Sequence, residues 1–450
     1  MSAGSETPLC DFLADYAGRN GARFHMPGHK GRSLPGAVWD ITEIKGADVL
    51  YRAEGILLQS QARAAAHFGA GRTVYSAEGS SLCIRAMLYL AYLRARAEGI
   101  RPTLLAGRNA HRTLMTAAAL LDADIEWLTE WPGESLLSGR MDPVELEKRL
   151  SCGQYMGVWL TTPDYTGHLE DLRPLSALCH RYGTPLLVDN AHGAYLKFLP
   201  EDRHPMTLGA DLCCDSAHKT LCCLTGAAYL HVSAAAPAVF SARAEDAMAL
   251  FASTSPSWLI LASLDRMNGE LAGDYPKRLR ETAEQAGRIR HSLEQAGWSV
   301  IGEEPLKLSL ATKACGYTGN EVHDILRRAN MECEFSDPDL LTIMISPDNS
   351  REELDRLEEK LLAIPRREPI WKRPPVPGRP ERVCSIREAM LGPRREVRAE
   401  DALGEVLADA MVSCPPAIPV GIAGERIDEA ALACFRYYGI EKVSIADRRE

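Results

Sequence analysis

Short apolar segments alternate with amphipathic segments between Ser60 and Val232. The segments TLLAG, GVWLTTP, PLLVD and AAYLHV have the length of buried strands, whereas SLCIRAMLYLAYLRARAEG and PLSALCHRYG are typical of helices. Strands that alternate with helices predict an α/β fold with a mostly parallel sheet. Because ligands of such sheets bind beyond the carboxyl ends of the strands, we expect the chemistry just after each strand.

From Tyr275 the pattern becomes strongly helical in RLRETAEQAGRIRHSLEQAG. A strand pair at LKLSLAT and LLTIMIS and the helix REELDRLEEKLLAI complete a predicted α+β domain. The segment PRREPIWKRPPVPGRPER holds six prolines and no periodicity, which is typical of a linker or an ordered extended crossing. We therefore predict an N-terminal arm (1–60), a large domain (61–270), a small domain (271–364), a linker (365–382) and a C-terminal domain (383–450), which contains PPAIP and a closing strand, KVSIAD.

The composition of the 450 residues is that of an ordinary globular protein, with 46% hydrophobic and 25% charged residues. No apolar run approaches the ~20 residues that cross a bilayer, and the first residues lack the basic start and apolar stretch of a secretion signal. The net charge of −10 argues against nucleic acid as a main partner and mildly favours a cationic ligand. We expect a cytoplasmic protein without membrane or nucleic-acid partners.

Thirteen cysteines, an odd number in a long chain, are expected to be reduced thiols. The adjacent pairs Cys213–Cys214 and Cys222–Cys223 lie in apolar runs and lack the spacing of zinc ligands. They are predicted to be buried side chains, and no metal site is expected.

Lys219, in DLCCDSAHKTLCCLTG, follows an apolar strand and stands beside His218 and near Ser216. A lysine in a partly dry cleft at the end of a strand can form an imine with an aldehyde. The alternative is a surface lysine, which is the more common state of this residue. Asp189 ends the preceding strand in PLLVDNAHGAY, where a carboxylate suits a pyridinium nitrogen but is equally suited to capping a helix.

Two further signals belong to the same pattern. A Gly-Ser-Ser turn, Gly79 to Ser81, enters a helix and offers N–H groups and hydroxyls to a phosphate, although helix capping by Ser80 or Ser81 explains it equally well. His111 follows another strand and could lie over a flat ring, although an isolated histidine is more often a packed or surface residue. The chain contains no GxxxxGK[ST] P-loop and no G-x-S-x-G hydrolase elbow.

The sequence resembles the bacterial ornithine/lysine/arginine decarboxylases over nearly its whole length. The resemblance lies in RFHMPGHKG, DITEIKGADVLYRAEGIL, HFGAGRTVYSAEGSS, GRNAHRT, TTPDYTG, LLVDNAHGAY, SAHKTL, STSPSWLILASLD and MVSCPPAIPVGIAGERI. It implies the type I fold of pyridoxal-phosphate (PLP) enzymes, related to aspartate aminotransferase. Residues 1–60 would then include an active-site loop, and 61–270 would bind PLP. The absence of a long N-terminal extension makes the chain similar to the shorter, Bacillus-type members.

The resemblance also implies roles for individual residues. Lys219 would carry PLP as a Schiff base, flanked by His218, with Asp189 at the ring nitrogen. The remaining cofactor contacts would come from the phosphate turn, the two ring faces and the STSPS segment: Gly79, Ser80, Ser81, Ser216, His111, Ala191, His192, Thr254 and Ser255. Thr254 and Ser255 would act near the phosphate, across a subunit interface, so a homodimer or higher homo-oligomer is expected.

The reaction implied is decarboxylation of arginine, lysine or ornithine, with a proton returned to the same carbon by Lys219 or His218. Another type I PLP reaction, such as transamination or side-chain cleavage, would use the same Lys219 and Asp189. A catalytically silent regulatory homologue is a third hypothesis, and it leaves the retention of Lys219, Asp189 and His111 without a physical reason.

The chain departs from the family pattern at three positions. Asn190 stands where the family usually has an acid, Ala217 replaces a hydroxyl residue, and Glu78 replaces an Asn, which puts a negative charge near the phosphate turn. The cationic end of the substrate requires an acid, and seven carboxylates are candidates: Glu43, Asp48, Glu54, Glu332, Glu334, Asp337 and Asp339. For each of them a solvated surface acid is the simpler interpretation.

Overall fold

The computed structural model describes residues 5–19, 21–32, 34–128, 140–378, 380–413 and 419–447. Most of the predicted PPAIP segment lies outside these residues. The contacts between residues divide the chain into two compact units. The first comprises residues 1–101, 154–159 and 172–279, and the second comprises 102–153, 160–171 and 280–450. The predicted division into five segments does not follow this partition and stays a prediction.

Seven strands form the central sheet in the order β1-β7-β6-β5-β4-β2-β3. They are β1 (Arg72–Ser76), β2 (Thr103–Ala106), β3 (Asp124–Trp127), β4 (Gly157–Thr161), β5 (Leu186–Asp189), β6 (Leu212–Asp215) and β7 (Ala228–Val232). β5 runs parallel to β6 and β2 to β3, whereas β7 runs antiparallel to both β1 and β6. All residues of β5, β6 and β7 are buried, as expected of strands covered on both faces. The predicted strands and the mostly parallel sheet are confirmed.

The helices are α1 (Pro8–Gly18), α2 (Ile56–Phe68), α3 (Gly79–Ala97), α4 (Arg112–Leu121), α5 (Pro143–Cys152), α6 (Leu172–Arg181), α7 (Pro205–Leu208), α8 (Ala217–Thr220), α9 (Ala238–Phe251), α10 (Trp258–Ala272), α11 (Tyr275–Gln295), α12 (Gly319–Arg327), α13 (Arg351–Leu362), α14 (Ile386–Leu391) and α15 (Glu429–Tyr438). Capping boxes begin three of them, at Thr318, Ser350 and Ser385. None of the helices within the described ranges is long and apolar enough to cross a membrane.

The second unit holds a four-stranded antiparallel sheet in the order β10-β11-β9-β8. Its strands are β8 (Ser299–Ile301), β9 (Lys307–Ala311), β10 (Phe335–Ser336) and β11 (Leu340–Met344). The predicted strand pair is β9 with β11, in which Leu310 pairs with Leu341. Apolar residues of α11, α12 and α13 pack with these strands into one core.

Two strand pairs, β12 (Arg394–Arg398) with β15 (Lys442–Ala446) and β13 (Met411–Ser413) with β14 (Pro419–Ile422), belong to the C-terminal residues. Helix α15 contributes Leu432 and Phe435 to their core. The described residues of the proline-rich segment before them, 365–378 and 380–382, contain no helix. Hydrogen bonds from the backbone N–H groups of Arg367 and Ile370 attach this segment to the carbonyls of Cys315 and Lys313.

Candidate active site

Lys219 lies in the one-turn helix α8, which follows the carboxyl end of β6. The backbone N–H of Lys219 donates to the carbonyl of Ser216 at 3.0 Å. Its Nζ lies 3.1 Å from Nε2 of His192, a side chain that is buried in the loop after β5. An amine and an imidazole from two neighbouring parallel strands therefore meet at the edge of the sheet where ligands are expected.

Asp189 is the last residue of β5 and is almost completely buried. Its Oδ1 accepts hydrogen bonds from the N–H of Ala191, at 3.2 Å, and from the thiol of Cys214, at 3.5 Å. Parallel pairing places Asp189 opposite Cys214 on β6. A carboxylate is thus fixed beside the strand that leads to Lys219.

The Gly-Ser-Ser turn begins the 19-residue helix α3. Gly79 has φ +72°, and a side chain there would meet open space. The hydroxyl of Ser216 donates to that of Ser80 at 2.7 Å, which joins this turn to the residues before Lys219. The side chain of the N-cap residue, Glu78, makes no capping hydrogen bond, and the N–H of Gly79 donates to the carbonyl of Gly226 at 2.7 Å. Ser80 and Ser81 follow in the first turn, at the end of the helix whose dipole favours an anion.

The carboxylate of Glu78 binds a different segment. Its Oε1 accepts the backbone N–H of Ser253 at 2.7 Å, at the start of the loop that contains Thr254 and Ser255. Both of these predicted contact residues are exposed in the single chain. The negative charge at position 78 is therefore used to hold this loop.

His218 donates from Nδ1 to the carbonyl oxygen of Ala227 at 3.0 Å, because a carbonyl can only accept. Burial lowers the pKa of His218, and the neighbouring Lys219 lowers this pKa further. Near pH 7 the imidazole is consequently neutral, with its lone pair on Nε2.

His111 lies in the second unit, at the N-cap of α4. The Nδ1 atom of His111 accepts the backbone N–H of Thr113 at 3.3 Å, so this nitrogen carries no proton.

Three residues before His111, the Arg108 guanidinium forms a bidentate ion pair with Glu425, with N–O distances of 2.6 and 2.7 Å. This pair was not predicted, because 317 residues separate its partners and no local pattern links them.

A second unpredicted feature is a buried cluster around Asp215 in the first unit. Oδ2 of Asp215 lies 2.9 Å from Nε2 of His204 and 3.2 Å from Nε2 of His231. On the other oxygen, Oδ1, the amide of Asn190 donates at 2.6 Å. Asn190 stands where the family pattern has an acid. Its amide can donate a hydrogen bond to the Asp215 carboxylate, whereas an ionised acid could not.

The two histidines and Asp215 are close enough together to resemble a metal site. However, Nδ1 of His204 accepts the backbone N–H of Met206 at 3.2 Å, so its proton resides on Nε2. A metal ion at that Nε2 would require a doubly deprotonated ring. The hydrogen-bonded network explains the cluster without an ion.

Four of the seven acids considered for the substrate make short hydrogen bonds or ion pairs within the chain. Asp48 accepts four backbone N–H groups near the start of α2, and Asp337 accepts those of Asp339 and Leu340. Asp339 binds Lys313 and Tyr437, and Glu332 binds Arg327.

Of the other three, Glu43 and Glu54 are exposed, and Glu334 accepts a long hydrogen bond of 3.4 Å from the hydroxyl of Tyr165. These three remain candidates for the cationic end of the substrate.

Comparisons with known proteins add independent information. The family model for "Orn/Lys/Arg decarboxylase, major domain" matches residues 7–302. Arginine decarboxylase from Bacillus subtilis is 29% identical over 94% of this chain and 92% of its own length. Arginine decarboxylase from Halalkalibacterium halodurans is 30% identical over 97% of this chain and 94% of its own.

Among solved structures, lysine decarboxylase A from Pseudomonas aeruginosa superposes with a TM-score of 0.79 at 19% identity, covering 96% of this chain and 75% of that one. An alanine–glyoxylate aminotransferase from Nostoc sp. gives a TM-score of 0.52 at 18% identity, over 68% of this chain and 86% of that one. These likenesses confirm the predicted fold, the type I fold of aminotransferase-like enzymes with additional small domains.

Proposed function

The chain belongs to the Orn/Lys/Arg decarboxylase family, and on that premise we propose that it decarboxylates a basic amino acid with PLP as its cofactor. The observation that carries this proposal is the meeting of Lys219 and His192 at 3.1 Å beside the buried Asp189. An amine that can bind an aldehyde and a carboxylate that can hold a protonated ring nitrogen are the two groups that PLP requires.

The remaining residues of the first unit fit the same cofactor. Ser80, Ser81 and Ser216, at the amino-terminal end of α3, would hold its phosphate. His192 and Ala191 would lie against the ring. When bound, PLP supplies an electron sink for the electrons of the breaking carbon–carboxylate bond.

The proton that replaces the carboxyl group must come from an acid of this chain. His218 is neutral near pH 7, because burial lowers its pKa, and its Nδ1–H is engaged by Ala227. The Nζ of Lys219 would be free of the cofactor once the substrate is bound, and a lysine amine can carry a proton. We therefore assign the proton return to Lys219, and to His218 the task of fixing the backbone at Ala227 and accepting a hydrogen bond at Nε2.

Arginine is the first substrate to test, because relatives at 28–30% identity carry the name arginine decarboxylase.

We further propose a homodimer or higher homo-oligomer. The exposure of Thr254 and Ser255 supports it, because these two residues are predicted to complete a site across a subunit interface. A cytoplasmic location is supported by twelve cysteines that form no disulfide in the described residues.

The test combines an absorbance spectrum of the purified protein with added PLP and CO2 release from arginine, lysine and ornithine. We expect a visible band and CO2 from one substrate. Lys219→Ala should lose the band and at least about 1000-fold of turnover, while Lys148→Ala, which removes an exposed lysine of α5, should behave as the wild type. A band without CO2 would favour another PLP reaction. A wild-type protein without a band would favour a silent homologue.

A further inference from the structure

The two adjacent cysteines of β6 each donate a hydrogen bond to a different buried carboxylate. The sulfur of Cys214 lies 3.5 Å from Oδ1 of Asp189, and the sulfur of Cys213 lies 3.5 Å from Oδ1 of Asp215. Successive side chains of a strand point to opposite faces of the sheet, so the two thiols serve opposite faces. The prediction that both side chains are buried is confirmed. In addition, both thiols act as hydrogen-bond donors.

Cys214 lies on the same face of the sheet as Asp189. The parallel register of β5 and β6 places these two residues opposite each other, and both belong to the first unit. Oδ1 of Asp189 also accepts the N–H of Ala191 at 3.2 Å, so one donor reaches this oxygen from β6 and another from the loop after β5. Because hydrogen bonds are directional, two donors from separate segments restrict the rotation of the carboxylate.

The thiol of Cys214 retains its proton. Burial and, to a smaller extent, the charge of Asp189 raise the pKa of this thiol well above its usual range. Because an ionised carboxylate can only accept, the proton of the thiol lies between the sulfur and Oδ1. A hydrogen bond to the charged form of a buried carboxylate favours that form. The charged form is the one that a protonated ring nitrogen requires.

We propose that Cys214 is a positioning residue that acts through Asp189, the carboxylate expected at the ring nitrogen of PLP. The proposal rests on the proposed function, in which Asp189 has that role. A thiol is a small side chain and a weak donor. It therefore orients the carboxylate without competing strongly with the ring nitrogen for its charge. Cys214 thus has a task in cofactor binding in addition to apolar packing.

The primary test compares the PLP dissociation constants of Cys214→Ala and the wild type in an equilibrium titration. Alanine removes the donor and fits the same space. We expect PLP to bind about three- to fivefold more weakly, the equivalent of one weak hydrogen bond. An analogue of PLP that carries C–H in place of the ring nitrogen should bind equally tightly to both proteins, because Asp189 then has no ring N–H to accept. Cys214→Ser, which keeps a donor, should recover part of the affinity for PLP.

Cys213→Ala is the matched control, because it removes the neighbouring buried thiol, which donates to Asp215 at the same distance. We expect it to lower the free energy of unfolding by as much as Cys214→Ala does, and to leave the dissociation constants of PLP and the analogue at wild-type values. Equal weakening of PLP and the analogue by Cys214→Ala would show that the thiol only stabilises the fold, and would overturn the proposal. An equal loss of PLP affinity in Cys213→Ala would overturn it as well.

A measurement without cofactor separates this proposal from the proposed function. The infrared S–H stretching band of Cys214, assigned from the difference between the wild type and Cys214→Ala, should shift when Asp189→Ala removes the acceptor. An unshifted band would overturn the proposal whatever the protein catalyses. If the band shifts and Cys214→Ala weakens PLP alone, but the wild type releases no CO2 from the three amino acids, decarboxylation fails and the role of Cys214 stands.

Discussion

The buried Asp215 carboxylate is stabilised by four hydrogen-bond donors. His204 and His231 donate to Oδ2, and the amide of Asn190 and the thiol of Cys213 donate to Oδ1. Burial alone would raise the pKa of Asp215, but the two histidines outweigh it and hold this pKa well below its usual range. Asn190 therefore supplies a donor to a carboxylate that burial would otherwise destabilise.

Asn190→Asp should destabilise the protein because it would place two carboxylates about 2.6 Å apart with no water between them. One of the two must then bind a proton, so its folded pKa is raised above its unfolded value. The stability contributed by that proton is lost as pH rises through the folded pKa. We expect the free energy of unfolding to fall by about 3 kcal/mol near neutral pH, and by less at pH 5, in urea unfolding.

Asn190→Ala is the matched control, because it removes the amide donor without adding a charge. Its deficit should stay the same between pH 5 and pH 8. A deficit for Asn190→Asp that is equally independent of pH would contradict the arrangement of donors around Asp215.

Glu78 can be tested at the same scale. Glu78→Ala removes the acceptor for the N–H of Ser253, whereas Glu78→Gln keeps an acceptor and removes the charge. We expect Glu78→Ala to raise the PLP dissociation constant about fivefold, the equivalent of one hydrogen bond of about 1 kcal/mol, and Glu78→Gln to change it little. Titration with PLP, followed by visible absorbance, measures both. Much tighter binding by Glu78→Gln would mean that the carboxylate faces the phosphate instead.

At the scale of secondary structure, α2 begins in a loop organised by a single side chain. Oδ1 of Asp48 accepts the N–H groups of Val49 and Glu54, and Oδ2 accepts those of Gly55 and Leu57. Both carboxylate oxygens of Asp48 are needed to accept these four N–H groups. The loop therefore requires an acid at this position whether or not Asp48 contacts a substrate. The residue has φ +78°, a conformation that Asp and Asn tolerate.

Asp48→Asn should therefore preserve the backbone and lose about half of these hydrogen bonds, because an amide nitrogen cannot accept. We expect a loss of about 2 kcal/mol in the free energy of unfolding. The comparison is Asp142→Asn, at the N-cap of α5, where Oδ1 of Asp142 accepts the N–H of Val144 and an amide oxygen suffices. Equal losses in the two variants would contradict the interpretation.

The sequence predicted those elements whose signal lies within a short segment. The strands TLLAG, PLLVD and AAYLHV and the helices SLCIRAMLYLAYLRARAEG, PLSALCHRYG and REELDRLEEKLLAI follow from apolar periodicity. Strand β10, with two residues, is too short to show any. Lys219 and Asp189 could be proposed because each lies at or shortly after the carboxyl end of a buried strand. The contacts of Asp215 with His204 and His231 and the Arg108–Glu425 pair could not be found, because their partners are brought together only by the fold, across 11 to 317 residues.

At the scale of the whole molecule, buried histidines make stability depend on pH. Burial lowers the pKa of His231 below its ordinary value of 6.5, and Asp215 only partly opposes this shift. Between the folded pKa and about 6.5 the unfolded chain binds a proton that the folded chain does not, so stability falls as the pH is lowered. Asp337, whose burial raises its pKa to about 6, acts in the opposite direction, because the stability from its proton is lost as pH rises through 6.

The contribution of His231 can be separated from these opposing groups with His231→Gln. The glutamine amide can still donate to Asp215 and accept from the Thr73 hydroxyl, which lies 2.8 Å from Nδ1 in the wild type. Each group that titrates only in the unfolded chain contributes about 1.4 kcal/mol per pH unit. Urea unfolding at pH 7.5, 6.5 and 5.5 should therefore show the variant losing about 1 kcal/mol less than the wild type between pH 6.5 and pH 5.5. Parallel curves would mean that His231 binds its proton equally in the folded and unfolded chains, which its position between Asp215 and Thr73 argues against.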